Sequence, residues 1–168
     1  ARRLPELPAV EVREFLRGYA DLPLAARLRD AWLRQLAAAR RWDDYLQDFT
    51  PTRNAELNCW QRQALLDTNQ GEAALRDFAA LWLRGASLPN ACDPIIAAWR
   101  SRGEPTPERL WQRFALAMES NNPALARTLR TAMPAADQTL ADAWLSVADN
   151  PRLVLDAGRL DPGDPRAV

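Results

Sequence analysis

Neither histidine nor lysine occurs among the 168 residues, so all 22 basic side chains are arginine. Without histidine the chain lacks the side chain that changes charge between about pH 5 and 8 and the commonest metal ligand, which excludes histidine-dependent catalysis. Cysteine is scarce as well. Cys59 and Cys92 are the only two, and two thiolates without histidine cannot complete a four-ligand zinc site, so neither a metal nor a cofactor is expected. An excess of one charge is also missing. The 22 acidic residues balance the 22 basic ones and both are spread along the chain, which leaves no electrostatic footprint for nucleic acid or an anionic membrane surface. No apolar run approaches the ~20 residues that span a bilayer. The opening "ARRLPELPAV" has neither the apolar run of a secretory signal nor a starting Met, and it reads as a mature or trimmed product whose targeting segment is out of view.

What is present is helical periodicity. Hydrophobic residues make up 48% of the chain, enough for the core of one domain or for a stretch of a longer array. They recur at helical spacing almost everywhere, and no stretch alternates with period two for long enough to make a strand. The first helix is expected over 8–19, with Val12, Phe15, Leu16 and Tyr19 on one face, and the second over 23–40 with Leu24, Leu28, Trp32 and Leu36. A short third carries Trp42, Tyr45 and Leu46 and stops before Pro51; a fourth spans 54–68 with Leu57, Trp60, Ala64 and Leu65 inward. Gly71 ends that turn. A fifth runs over 72–84 with Leu75, Phe78, Ala79 and Trp82 inward, and Gly85 is its stop. A sixth begins at Pro94 with Asp93 as N-cap and ends at Gly103; the seventh starts at Thr106-Pro107 and the eighth at Asn122-Pro123. The ninth covers 135–148 and a short tenth follows Pro151.

Pairing these helices gives units beginning near 8, 41, 72, 106 and 135, a loose period within the range of helix-turn-helix solenoid repeats. The expected fold class is all-α, an α-superhelix: a degenerate tetratricopeptide-like solenoid of short helical hairpins, stacked so that neighbours share one core. Residues 1–160 are assigned to that domain and 161–168 to an unstructured tail. In such a stack alternate helices lie side by side and point the same way, which brings Cys59, in the second turn of the fourth helix, near Cys92 at the mouth of the sixth. Spacing leaves two readings open. A bridge would close a loop of about 34 residues and stabilise the fold by roughly 3–4 kcal/mol; two buried free thiols acting as small apolar residues would suit a reducing compartment.

Beyond periodicity, the segment "NCWQRQALL…ALWLRGASLPNACDPIIAAWRSRG", followed by "FALAMESNN" and "TAMPAADQTLADAWLSVADNPRLVL" and preceded by "PAVEVREFLRGYADLPLAARLRDAWLRQLAAARRWDDYL", resembles the superhelical domain of soluble lytic transglycosylases of the Slt type. The "WLRG…PNACD" stretch and the paired cysteines are its specific parts. In that family the two matching cysteines form a disulfide, so the resemblance implies a Cys59–Cys92 bridge. It also implies a periplasmic enzyme of Gram-negative bacteria that cleaves the MurNAc-GlcNAc bond of peptidoglycan and leaves a 1,6-anhydromuramoyl end. Its catalytic glutamate lies in a lysozyme-like domain that this chain does not reach, so the chain is expected to be a non-catalytic ring segment with no catalytic residue of its own. Peptidoglycan glycan strands, met through the full-length protein, and other cell-wall enzymes are the implied partners. The rival reading is a cytosolic tetratricopeptide-like adaptor with free thiols, which binds a protein or peptide.

Three further features invite sharper readings. Glu119-Ser120 imitates the family's catalytic Glu-Ser pair, and a third reading makes the chain an enzyme through Glu119. The pair falls at a helix end before "NNP", where a wet carboxylate is unsuited to general acid work, so a solvated face is preferred. The seven tryptophans, 32, 42, 60, 82, 99, 111 and 144, are either sugar-stacking platforms or core; most sit on apolar faces, and Trp42 and Trp60 are least well explained by packing. The arginine runs Arg40-Arg41 and Arg100 to Arg102 either hold carboxylates of a peptide stem or an acidic partner, or form solvated surface, and surface is preferred.

Overall fold

The computed structural model describes residues 8–155, so the tail expected at 161–168 lies outside the described residues. Among those described there are ten α-helices and no strand: α1 (Ala9–Gly18), α2 (Pro23–Ala38), α3 (Trp42–Asp48), α4 (Ala55–Asp67), α5 (Gly71–Leu75), α6 (Phe78–Trp82), α7 (Asp93–Arg100), α8 (Pro107–Glu119), α9 (Pro123–Arg130) and α10 (Ala135–Asp149). Single 3-10 turns cover Asn90–Cys92 and Pro151–Leu155. No described helix is long and apolar enough to cross a membrane. The chain divides into two compact units, the first made of residues up to Arg76 plus Leu88–Trp99 and the second of Asp77–Ser87 plus residues from Arg100 onward.

Three side chains cap helices, two of them at the expected starts Thr106 and Asn122, because they satisfy helix N–H groups that have no partner within the helix. Asn54 accepts from Glu56 N and Leu57 N, Thr106 from Arg109 N, and Asn122 from Leu125 N. Prolines stand at the starts of α2, α8 and α9, where their missing N–H costs nothing.

Five readings are corrected. Asp93 is the first residue of α7, not its N-cap, because the 3-10 turn feeds straight into the helix. The helix expected over 72–84 is split in two at Asp77, whose φ of 55° is left-handed and cannot continue a helix. Gly71 begins α5, and the stop before it is made by Asn69 at φ 60°. Phe15 and Tyr19 are 36% and 51% exposed, while Val12 and Leu16, one position away on the wheel, are buried. The two rings lie against each other at a 38° tilt, centroids 4.7 Å apart, since a pair four apart shares a face of its own. Leu24 is likewise outside, at 62% exposure.

In the first unit the core gathers Val12, Leu16, Trp32, Leu33, Leu36, Tyr45, Leu57 and Ala64 from α1 to α4, with Leu28, Leu46, Trp42 and Trp60 packed at its margin. Arg13 ties α1 to α3, its Nε donating to Asp48 at 2.7 Å and its Nη2 to Asp44 at 2.6 Å, while Trp32 Nε1 donates to the other Asp48 oxygen at 2.9 Å. In the second unit Phe78, Trp82, Leu110, Phe114, Ala126, Leu129, Met133, Ala141 and Leu145 are buried. Trp144 meets Trp111 edge-on at 5.9 Å and Phe114 at 6.1 Å, where ring edges face ring surfaces favourably.

Candidate functional site: the disulfide-anchored tryptophan cleft

Cys59 and Cys92 are bonded, with Cα atoms 4.8 Å apart and both side chains fully buried. The bond fastens the 3-10 turn to α4. Beside it Tyr45 donates its hydroxyl to Leu57 O at 2.8 Å, inside the core, and burial pushes its phenol well above the ordinary range.

Against this anchored edge lies a cleft of about 210 Å³, bounded by Arg40, Trp42, Trp60, Gln63, Asn90 and Pro94. Each wall has a local cause. Arg40 turns the corner between α2 and α3 with φ 52°, which brings Trp42 to the first position of α3. Trp60 and Gln63 are three apart on α4 and so share a face. Asp67, one turn further, accepts from Trp42 Nε1 at 2.7 Å and from Gln63 Nε2 at 2.8 Å. That carboxylate fixes the ring of one and the amide of the other. Gln63 Oε1 is left buried with no hydrogen-bond partner.

The remaining candidates are dispersed. Glu119 is the exposed last residue of α8. Its neighbour Ser120 packs so closely on Gly85 that a methyl group there would collide with the Ser120 side chain and the Leu116 carbonyl. Asn121 takes φ 52°, and Asn122 donates to Gly85 O at 3.1 Å while capping α9. "ESNN" in this chain is thus a tight corner, and Gly85, expected as a helix stop, is its point of close approach. Arg41 pairs with Asp44 at 2.6 Å and lies 5.8 Å over the Trp32 ring, whereas Arg40 is exposed. Trp32, Trp82, Trp99 and Trp111 are buried, and Trp42, Trp60 and Trp144 are half-buried. Sequence reasoning missed Asp67, which holds Trp42, and Gln63, which lines the cleft beside Trp60. Their signal was the i, i+3, i+7 series in "WQRQALLD". It also missed Arg113, which is 5% exposed and 4.4 Å over the Trp82 ring, its pKa lowered to about 10 by burial and then by Arg84.

Comparison with known proteins adds the lineage. Over 154 residues, 90% of this chain, it is 38% identical to the soluble lytic murein transglycosylase of Escherichia coli (strain K12). The crystal structure of the 70 kDa soluble lytic transglycosylase from Escherichia coli superposes with a TM-score of 0.73 at 37% identity, covering 90% of this chain and 25% of that one. The chain belongs to the soluble lytic murein transglycosylase family. Its fold class is the all-α superhelix of helical hairpins found in that family. The lytic transglycosylase Slt of Pseudomonas aeruginosa, solved as an inactive mutant, matches with a TM-score of 0.80 at 33% identity, covering 96% of this chain and 26% of that one. The chain spans about a quarter, 24%, of the length of the Escherichia coli K12 relative. A family model for Cucumovirus coat protein also matches residues 61–154. Those residues form helices and turns with no strand, whereas viral capsid domains are commonly jelly rolls of β-strands. The identity and superposition over the transglycosylases include that same segment, and they decide the assignment.

Proposed function

We propose that this chain is the non-catalytic superhelical ring segment of a periplasmic lytic transglycosylase that cleaves the MurNAc-GlcNAc bond of peptidoglycan with a 1,6-anhydro product. Likeness over 90% of the chain to a soluble lytic murein transglycosylase carries this reading. The Cys59–Cys92 bond supports an oxidising compartment such as the periplasm. Glu119 supports a catalytic domain outside this chain: its helix-end position is exposed, while a glycan-cleaving acid needs a dry cleft around it. The exposed stripe of Val10, Phe15, Tyr19, Leu22 and Leu24 is the kind of surface that a neighbouring solenoid repeat covers.

The test is release of 1,6-anhydromuropeptides from purified sacculi by the isolated chain, by the parent protein and by the parent with Glu119→Gln. Product from the parent and its Glu119→Gln variant, with none from the isolated chain, is expected. Product from the isolated chain, or collapse of the substituted parent, would overturn the non-catalytic assignment. A parent that releases no 1,6-anhydro product would overturn the enzymatic one.

A further inference from the structure

We infer that the cleft between Trp42 and Trp60 is an accessory binding site for one N-acetylated amino sugar bearing a carboxylate, as a muramoyl residue of a glycan strand does. The inference rests on the proposed peptidoglycan target and adds where this segment would hold it. At about 210 Å³ the cleft is smaller than the ~300–1,000 Å³ of pockets that enclose a drug-sized ligand. It suits one ring of a polymer that continues past it on both sides.

The lining supplies what such a ring uses. Two half-buried indoles offer faces for the C–H surfaces of a pyranose, and the Trp42 ring is held in orientation by Asp67 at 2.7 Å. Gln63 lines the cleft beside Trp60 and gives its amide N–H to Asp67, which keeps that wall in place. Asn90, held by the turn that Cys92 anchors, adds amide groups at the opposite wall. Arg40 stands exposed at the rim, where its guanidinium fork matches a carboxylate. Two larger clefts are less suited: the one lined by Arg13, Arg17, Arg29 and Asp48 has no aromatic face and is partly neutralised by the Arg13–Asp48 pair, and the one beside Trp32, Gln35 and Arg41 has an indole that is only 3% exposed and an arginine already paired with Asp44.

The experiment is a titration of the disulfide-bonded chain, followed by the indole N–H resonances of its seven tryptophans. The probes are a GlcNAc-MurNAc muropeptide, chitotriose and a proline-rich peptide. Saturable shifts of the Trp42 and Trp60 signals with the muropeptide, weaker ones with chitotriose, and none with the peptide are expected. Trp60→Ala should abolish the Trp42 shift and Trp60→Phe should keep it. Thermal melts establish that both variants are folded; if Trp60→Ala is not, Trp42→Ala replaces it, with loss of the Trp60 shift expected. Arg40→Gln should weaken muropeptide binding about tenfold and leave chitotriose unchanged. No sugar-dependent shift, while the parent still digests sacculi, sinks the cleft and leaves the proposed function standing. Equal affinity for chitotriose and muropeptide overturns the carboxylate assignment, and binding of the proline-rich peptide alone makes the cleft a peptide dock.

Discussion

The unit containing Cys59 and the unit containing Arg113 are similar helical hairpins held by different means. In the first, a disulfide closes a separation of 33 residues, and Arg13 joins α1 to α3 through two carboxylates. In the second, described ion pairs such as Arg127–Asp149 and Arg130–Asp142 lie at the surface. Its interior relies on the Trp111, Phe114 and Trp144 rings and on Arg113 laid flat on Trp82. Arg113 also reaches Ala86 O at 3.4 Å, but its Nε has no hydrogen-bond partner. The contrast shows two uses of an all-arginine cation set. A guanidinium fork can bridge two carboxylates across helices, and its flat face can cover an indole where an ammonium would be desolvated at greater cost.

Removing the staple should widen the contrast most. Reduction, or Cys59→Ser with Cys92→Ser, is expected to lower the stability of the first unit by roughly 3–4 kcal/mol. Hydrogen exchange resolved by peptide should show faster opening in α3 and α4 than in α8 to α10; equal acceleration in both would mean that the units unfold as one.

Gly85→Ala attacks the other unit. With Ser120 and the Leu116 carbonyl in the way, the chain must shift at the cost of about 1–3 kcal/mol typical of overpacking. Protection should fall first at the α8–α9 corner, and an unchanged urea midpoint would show that the corner yields freely.

Alkaline pH should separate the units by sign. Tyr45 has its phenol pKa raised by burial, so its folded form holds a proton that the unfolded chain gives up, and stability in the first unit falls as pH rises above about 10. Arg113 has its pKa lowered to about 10 by burial and Arg84, so the unfolded chain binds more protons between that value and the ordinary one, and the second unit gains stability as pH rises there. In the acid range the first unit contains Asp44, held below the usual carboxylate range chiefly by the Arg13 hydrogen bond. Its contribution is present above about pH 4 and is lost as pH falls through the lowered value. Urea midpoints across pH test this. Tyr45→Phe should remove the alkaline loss and Arg113→Met the alkaline gain; a slope that survives its substitution refutes the assignment.

Glu119→Gln should do least, changing stability by no more than about 0.5 kcal/mol as an exposed helix-end substitution. A melting shift larger than that of Gly85→Ala would show that the corner depends on the carboxylate rather than on close packing.

Periodicity and capping residues were enough to place the helices, because each cap acts through its own backbone within three residues. The helix starts at Thr106 and Asn122 could be read without any tertiary contact. The split at Asp77 was hidden because the apolar stripe of Leu75, Phe78 and Trp82 continues through it. The outward face of Phe15 and Tyr19 was hidden for a related reason: one helix wheel offers two adjacent apolar stripes, and only a neighbour selects which is covered.

For the candidate site, sequence supplied the members and tertiary structure the arrangement. Trp42 and Trp60 stood out because packing did not account for them, and the cysteine pair stood out by resemblance to its family. That Asp67 reaches Trp42 as well as its own helix neighbour Gln63, and that the Cys92 turn closes the cleft beside them, depends on contacts 25 and 33 positions apart. Local propensity carries no record of such contacts. By itself the sequence determined an all-α chain of capped hairpins without histidine chemistry, because those properties follow from residue type and spacing. Only the tertiary structure decided which indoles border a cleft, which arginines meet carboxylates and why Ser120 lies against Gly85, since each depends on how helices distant in sequence pack together.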